Sequence, residues 1–241
     1  MNGLSQHQYL DGNTTLAGWL ARPEGKARAA IVVYPTIANI TPRVAQKAAS
    51  LAKAGFVVLV ADFYGLEAAK EGVTPQDLAK ELRTDNAVYR QRLSAAIKEL
   101  RSRPEASGLS IGVIGFCMGG QAALEVARAG EDLAAVVSFH GLLGTAQRAG
   151  PGDIIGPRIL VCHGDKDPMV PRQHVTAFME EMDAAGADWH LHIYSGAKHG
   201  FTDPASDKRP LDAVAYDASA DCQSWAAMMN FFAEIFPPQK G

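Results

Sequence analysis

IGVIGFCMGGQ (residues 111–121) decides how this chain is read. An apolar run rich in β-branched residues ends at Gly115, a cysteine stands at 117, and MGGQAALEVARAG (118–130) follows with helical apolar spacing. Gly115-Phe116-Cys117-Met118-Gly119 thus has the spacing of a nucleophile elbow, a sharp strand-to-helix turn, with cysteine in the serine position. A nucleophile held on so tight a turn draws strand and helix together. That leaves no room for Cβ atoms two residues before and after it. The start of the following helix directs N–H groups and the positive end of its dipole at the sulfur, which lowers the thiol pKa and offers donors to a developing oxyanion. The bland alternative is that Cys117 is a small buried hydrophobe, the usual fate of a free cysteine.

Outward from this stretch, strand-length apolar runs alternate with helical patterns. AAIVVY (29–34), FVVLVAD (56–62), LSIGVIG (109–115), LAAVVSFHG (133–141), RILVCHG (158–164) and WHLHIYSG (189–196) read as strands. TPRVAQKAASLAKAG reads as a helix with Thr41 as N-cap, Pro42 at its first position and Gly55 as its stop. A helix-rich stretch covers about 75–102 and ends before Pro104. PRQHVTAFMEEMDAAG and the closing YDASADCQSWAAMMNFFAEIF are further helices. In the latter, Trp225, Met228, Met229 and Phe232 form an apolar stripe suited to a core. Upstream, HQYLDGNTTLAGWLARP reads as two strands around an Asp11-Gly12 turn, an antiparallel edge. The expectation is one α/β domain over 1–241, with a mostly parallel sheet covered by helices on both faces.

Two further stretches supply partners for Cys117. CHGDKDPMVP (162–171) follows a strand, where ligand-facing loops emerge in open parallel sheets. Asp165 and Asp167 are both able to orient a histidine there; Asp167, two residues before Met169 and four before Pro171, stands where the acid is expected. SGAKHGF (195–201) follows the last strand and presents His199 in a loop, with Phe201 just beyond it. Alone, each has an ordinary explanation: a polar turn before a helix, a solvated histidine. Together they give nucleophile, acid and histidine in that chain order, each at a strand's C-terminal end, as in α/β-hydrolases.

The 241 residues, 47% of them apolar and 20% charged, suffice for a large core, and the formal net charge of −3 includes no basic face for nucleic acid. The polar start, MNGLSQHQYLDGN, lacks the order of a secretion signal, and no run approaches the roughly 20 apolar residues of a membrane span. Three widely spaced cysteines, Cys117, Cys162 and Cys222, argue for a reducing compartment. The expectation is a cytoplasmic protein without nucleic-acid or membrane partners, monomeric or homodimeric. His190 and His192 share a strand face but have no third ligand at metal-binding spacing.

On GFCMGG, HGDKDPMVP and KHGF, with KAGFVVLVADFYG and SWAAMMNFF in support, the chain resembles the dienelactone hydrolase family of α/β-hydrolases over essentially its whole length. The resemblance implies Cys117, Asp167 and His199 as the triad, hydrolysis of esters or lactones, and no metal or organic cofactor. Counted back from LAKAGF, the position where family members often carry a glutamate that gates the cysteine falls on Thr36, which takes no proton. The same count makes Ile37 N–H the second oxyanion donor beside Met118; a slip of two residues would put Pro35 there, which has no N–H. Dienelactone enzymes resemble His-x-Phe-x-Arg after the histidine, with the arginine gripping a carboxylate. Here Asp203 stands at that position and would repel one. A neutral ester or lactone fits better, and the same site could accept a neutral phosphotriester as a main or promiscuous substrate. Tyr64, His140, Phe201, Thr36 and Asp203 are placed at the substrate pocket. The competing class is a thiol sensor or binding protein that keeps Cys117 without a functioning His199 and Asp167.

Overall fold

The computed structural model describes residues 3–68 and 70–237, so the first two residues of the amino-terminal stretch lie outside the described part. The chain divides between Val113 and Ile114 into two compact units.

In the first unit, β1 (Leu4–Asp11) and β2 (Thr14–Ala21) form an antiparallel hairpin with Asp11 opposite Thr14. The loop is therefore Gly12-Asn13, one residue beyond the Asp11-Gly12 turn expected from sequence. Gly12 takes φ +55, which a residue without a Cβ adopts freely. β2 pairs antiparallel with β4 (Phe56–Val60), and β4 pairs in parallel with β3 (Ala29–Tyr34), giving the order β1-β2-β4-β3. β3 and β4 are buried along their whole length, as unbroken apolar runs in a sheet covered on both faces should be. Against β4 packs α1 (Pro42–Lys53), where Thr41 Oγ1 accepts from the Val44 N–H at 3.3 Å and Gly55 ends the helix at φ +95. The expected helix-rich stretch is two helices, α2 (Pro75–Leu82) and α3 (Asn86–Ser102). They separate because Asp85 leaves helical geometry to cap α3, its carboxylate accepting from the Ala87 and Val88 N–H groups at 2.8 and 3.2 Å.

One buried carboxylate organises the loops of this unit. Asp62, just past β4, accepts through Oδ2 from Ala17 N–H at 2.8 Å and through Oδ1 from Asn39 Nδ2 at 2.7 Å, Tyr64 N–H at 2.9 Å and Gly65 N–H at 3.1 Å. Asn39 adopts φ +59, a conformation its short polar side chain tolerates, and its Oδ1 accepts in return from Phe63 N–H at 3.3 Å.

The second unit takes in the end of β5 (Ile111–Phe116), then β6 (Ala135–Phe139), β7 (Arg158–Gly164) and β8 (Trp189–Tyr194), in the order β5-β6-β7-β8. β6–β7 and β7–β8 are parallel. α4 (Met118–Arg128) follows β5, α5 (Arg172–Ala184) joins β7 to β8, and α6 (Ala218–Ile235) closes the unit. Met228 and Phe232 of α6 are buried and Trp225 stacks on Phe139 with centroids 6.3 Å apart, so these three of the apolar stripe pack inward, while Met229 is half-buried. α4 and α5 share a buried ion network. Arg128 meets Glu181 through Nε and Nη2 at 2.8 and 2.9 Å and Glu125 at 3.2 Å, and its Nη2 also donates to Leu143 O at 2.8 Å. That last bond holds the loop after β6 against the helix that follows Cys117. β8 is half-exposed, and His190 and His192 face outward on it. Among the described residues, no helix is long and apolar enough to cross a membrane.

Candidate active site

The candidate site of the second unit is built at the end of β5. Cys117 has φ +57 and ψ −118 and is the N-cap of α4, with no side-chain bond back to the helix. A non-glycine residue there is strained by about 1–3 kcal/mol, a cost that persists only where the surroundings over-determine the conformation. The surroundings are tight indeed. A Cβ on Gly115 would lie 1.8 Å from Gly119 O, so the glycine two residues before the cysteine is a steric necessity. A second close approach was not foreseen from sequence. A Cβ on Gly120 would lie 2.8 Å from Gly141 Cα, which brings the first turn of α4 against the end of β6. The result leaves Sγ at the positive end of α4, where negative charge is favoured.

β7 ends at Gly164, and the loop after it turns back at once, with Asp167 N–H donating to Gly164 O at 3.0 Å. Asp167 is buried; its Oδ1 accepts from Met169 N–H at 2.8 Å and its Oδ2 faces His199 Nδ1 at 2.7 Å. Asp165 instead forms a bidentate pair with Arg172 at 2.8 and 2.9 Å. Of the two acids, the one hydrogen-bonded to His199 is Asp167, the residue expected there from sequence. The acid loop and the histidine loop are joined by the backbone, since Lys166 N–H donates to Ala197 O at 2.9 Å.

His199 is buried, with Nε2 3.0 Å from Cys117 Sγ. Residues 213–215 hold its backbone from the far side. His199 N–H donates to Ala213 O and Ala215 N–H donates to His199 O, each at 3.2 Å. Burial works against a charged imidazole here, but the hydrogen bonds to Asp167 and Cys117 outweigh it and push the pKa up to about 10. The imidazole thus bridges the Asp167 carboxylate and Cys117 Sγ.

Other expected site residues lie as follows. Met118 is the first residue of α4 and is buried. His140 is buried beside Cys117, and Phe201 is fully buried, packing edge-on against His140 at 5.1 Å, so both are interior residues. Asp203 is half-exposed and caps a short 3-10 turn, accepting from Ala205 N–H at 2.9 Å. In the first unit, Thr36 Oγ1 accepts from Ala38 N–H at 3.3 Å, and Tyr64 donates its hydroxyl to Ile37 O at 2.8 Å. Tyr64 also lines a cleft of about 520 Å³ with Phe63, Glu67, Leu78 and Arg92.

The sequence pattern of the dienelactone hydrolase family matches residues 16–236. The chain belongs to that family. A dienelactone hydrolase-like promiscuous phosphotriesterase, P91, from metagenomic libraries is 35% identical to this family member, with a TM-score of 0.88 over 97% of this chain and 98% of its own. A Bradyrhizobium sp protein named "Probable 2-oxo-3-(5-oxofuran-2-ylidene)propanoate lactonase" is 32% identical over 215 residues, which is 84% of this chain and 86% of that protein. An alpha/beta hydrolase enzyme from a Medee basin deep-sea metagenome library, at 18% identity, shares the fold alone, with a TM-score of 0.63 over 98% of this chain and 99% of its own. This dienelactone hydrolase-family hydrolase thus has the α/β-hydrolase fold.

Proposed function

We propose that the protein is a cysteine-nucleophile hydrolase of neutral carboxylic esters and lactones, with Cys117, His199 and Asp167 as its triad. The observation that carries this reading is the continuous line from Asp167 Oδ2 to His199 Nδ1 at 2.7 Å and from His199 Nε2 to Cys117 Sγ at 3.0 Å. A nucleophile within reach of a base, itself oriented by a third group, is the arrangement covalent catalysis requires.

In the first half-reaction the Cys117 thiolate attacks the carbonyl carbon, and the carbonyl π pair moves to oxygen. The Met118 N–H receives that oxyanion, and the sequence count assigns the second donor to Ile37 N–H. As the tetrahedral species collapses to a thioester, the C–O bond breaks and His199 Nε2–H protonates the departing alkoxide. In the second half-reaction His199 Nε2 takes a proton from water, which attacks the thioester carbon. Collapse expels the thiolate and returns the imidazolium. Asp167 holds Nδ1–H throughout and supports the charge on the ring. Neutral substrates are preferred because Asp203, in place of a carboxylate-gripping arginine, adds negative charge.

Neutral phosphotriesters are the second reading, favoured by the 35% identity to a promiscuous phosphotriesterase. The thiolate would displace one alkoxide at phosphorus, and turnover then requires water to cleave the phosphorus–sulfur bond. The test compares p-nitrophenyl acetate, a neutral lactone and a neutral phosphotriester with wild type and Cys117→Ala. Cys117-dependent turnover of the esters supports the thiol hydrolase. Phosphotriester turnover beyond one burst per site adds the second reading. Equal rates in the alanine variant overturn the triad, and no activity in wild type leaves the thiol-sensor class.

A further inference from the structure

A second imidazole lies beside the nucleophile, and the proposed chemistry uses it neither as acid nor as base. His140 follows β6, is 2% exposed and has φ +40. Its Nδ1 lies 3.1 Å from the Cys117 N–H, which also points at Phe139 O at 3.0 Å. A backbone N–H can only donate, so Nδ1 presents a lone pair. The ring of a neutral His140 therefore carries its proton on Nε2, 2.9 Å from Thr202 Oγ1. Thr202 is buried and sits three residues after His199. The face-to-edge packing of the His140 and His199 rings, with centroids 5.3 Å apart and planes at 69°, completes the arrangement.

Both ends of the Cys117–His140 contact are backbone outliers, φ +57 and φ +40, in residues that carry a Cβ. Strain of this kind is retained only where several interactions fix it. Space-filling alone does not account for the pattern. An apolar ring would fill the same volume, yet here one nitrogen meets the nucleophile's own amide and the other meets the loop that bears the catalytic histidine. We propose that His140 is a positioning residue. Held by Thr202 as the Nε2–H tautomer, it fixes the Cys117 turn through the Nδ1 lone pair, setting the Sγ–Nε2 approach. This role rests on the reading of Cys117 as nucleophile.

The test uses His140→Asn and His140→Gly in the full chain. Asparagine places Oδ1 near the Nδ1 position and tolerates a left-handed backbone; glycine accepts the backbone but supplies no acceptor. Both remove the ring, so their difference isolates the acceptor. Steady-state kinetics on p-nitrophenyl acetate should show His140→Gly losing about 10- to 100-fold in kcat, the scale of a misplaced reacting group, with KM changed by less than about threefold. His140→Asn should recover kcat to within about fivefold of wild type, with the two variants unfolding at similar temperatures. Equal loss in both, or no loss in either, overturns the proposal. Should wild type itself fail to turn over esters, the hydrolase reading falls. The positioning role is then read from iodoacetamide alkylation of Cys117 in a Cys222→Ser background, slowed by His140→Gly and restored by His140→Asn if the proposal holds, and unchanged or equally slowed if it does not.

Discussion

Asp167→Asn replaces one of two acceptor oxygens by a donor, and the structure says which contact suffers. Oδ1 accepts from Met169 N–H at 2.8 Å, and Oδ2 meets His199 Nδ1 at 2.7 Å. A backbone amide cannot change roles, whereas an imidazole can move its proton. The asparagine oxygen therefore stays with Met169 and its NH2 turns to His199. His199 then shows a lone pair at Nδ1 and carries its proton on Nε2, 3.0 Å from Sγ, where it can no longer accept the thiol proton. Loss of a hydrogen bond to a charged group costs about 1.5–3 kcal/mol, which lowers the proton affinity of the ring by about one to two pH units. The wrong tautomer adds a rate penalty, so kcat at neutral pH should fall on the order of 10³- to 10⁴-fold. The assay is p-nitrophenyl acetate hydrolysis from pH 6 to 10, with Asp165→Asn as the control, since Asp165 pairs with Arg172 instead. Thermal unfolding of each variant confirms that the fold is kept. A folded Asp167→Asn enzyme within about tenfold of wild type would refute the assigned role of the carboxylate.

Gly115→Ala should destabilise the fold by about 3 kcal/mol or more, because the clash at 1.8 Å is with backbone and no rotamer relieves it. Gly144→Ala, with nothing within 4 Å of the new Cβ, should cost less than about 1 kcal/mol in the same urea titration; equal costs would contradict the tight elbow. His199 binds its proton more tightly folded than unfolded, with its pKa pushed from 6.5 to about 10. Its contribution to stability is therefore complete below the unfolded value and is lost as pH rises through the folded one. The stability difference between wild type and His199→Gln, measured by urea unfolding, should shrink between pH 6.5 and 10. A difference constant across that window would show that the proton is not held this way. Cys162 does not complicate thiol readouts, since burial pushes its pKa up to about 12; exposed Cys222 is the one to remove.

What was legible in the sequence were features that depend on neighbours in the chain. The elbow follows from Gly115, Cys117 and Gly119, α1 from Thr41, Pro42 and Gly55, and the acid and histidine loops from their own strand ends. Features made by residues distant in sequence were not legible. His140 reaches the Cys117 amide across 23 positions, so its placement at the pocket by sequence held no hint of that bond. The clamp of residues 213–215 on His199 depends on a chain return with no local motif. Gly141, directly after His140, was an available signal, because a Cβ there would lie 2.5 Å from both Gly120 C and Ser138 Oγ. The break between α2 and α3 was hidden because Asp85 in a charged stretch looks like any exposed helical acid until its cap geometry is seen.

The Asp62 carboxylate has a bearing on how this sequence can be recombined. It gathers Asn39 from one loop and Tyr64 and Gly65 from another, while Tyr64 reaches back to the carbonyl of Ile37. A chimaera whose crossover falls between Asn39 and Asp62 would take the acceptor, with Tyr64 and Gly65, from one parent and the Asn39 donor from the other. Residues 36–65 thus behave as a cassette, to be inherited or grafted whole.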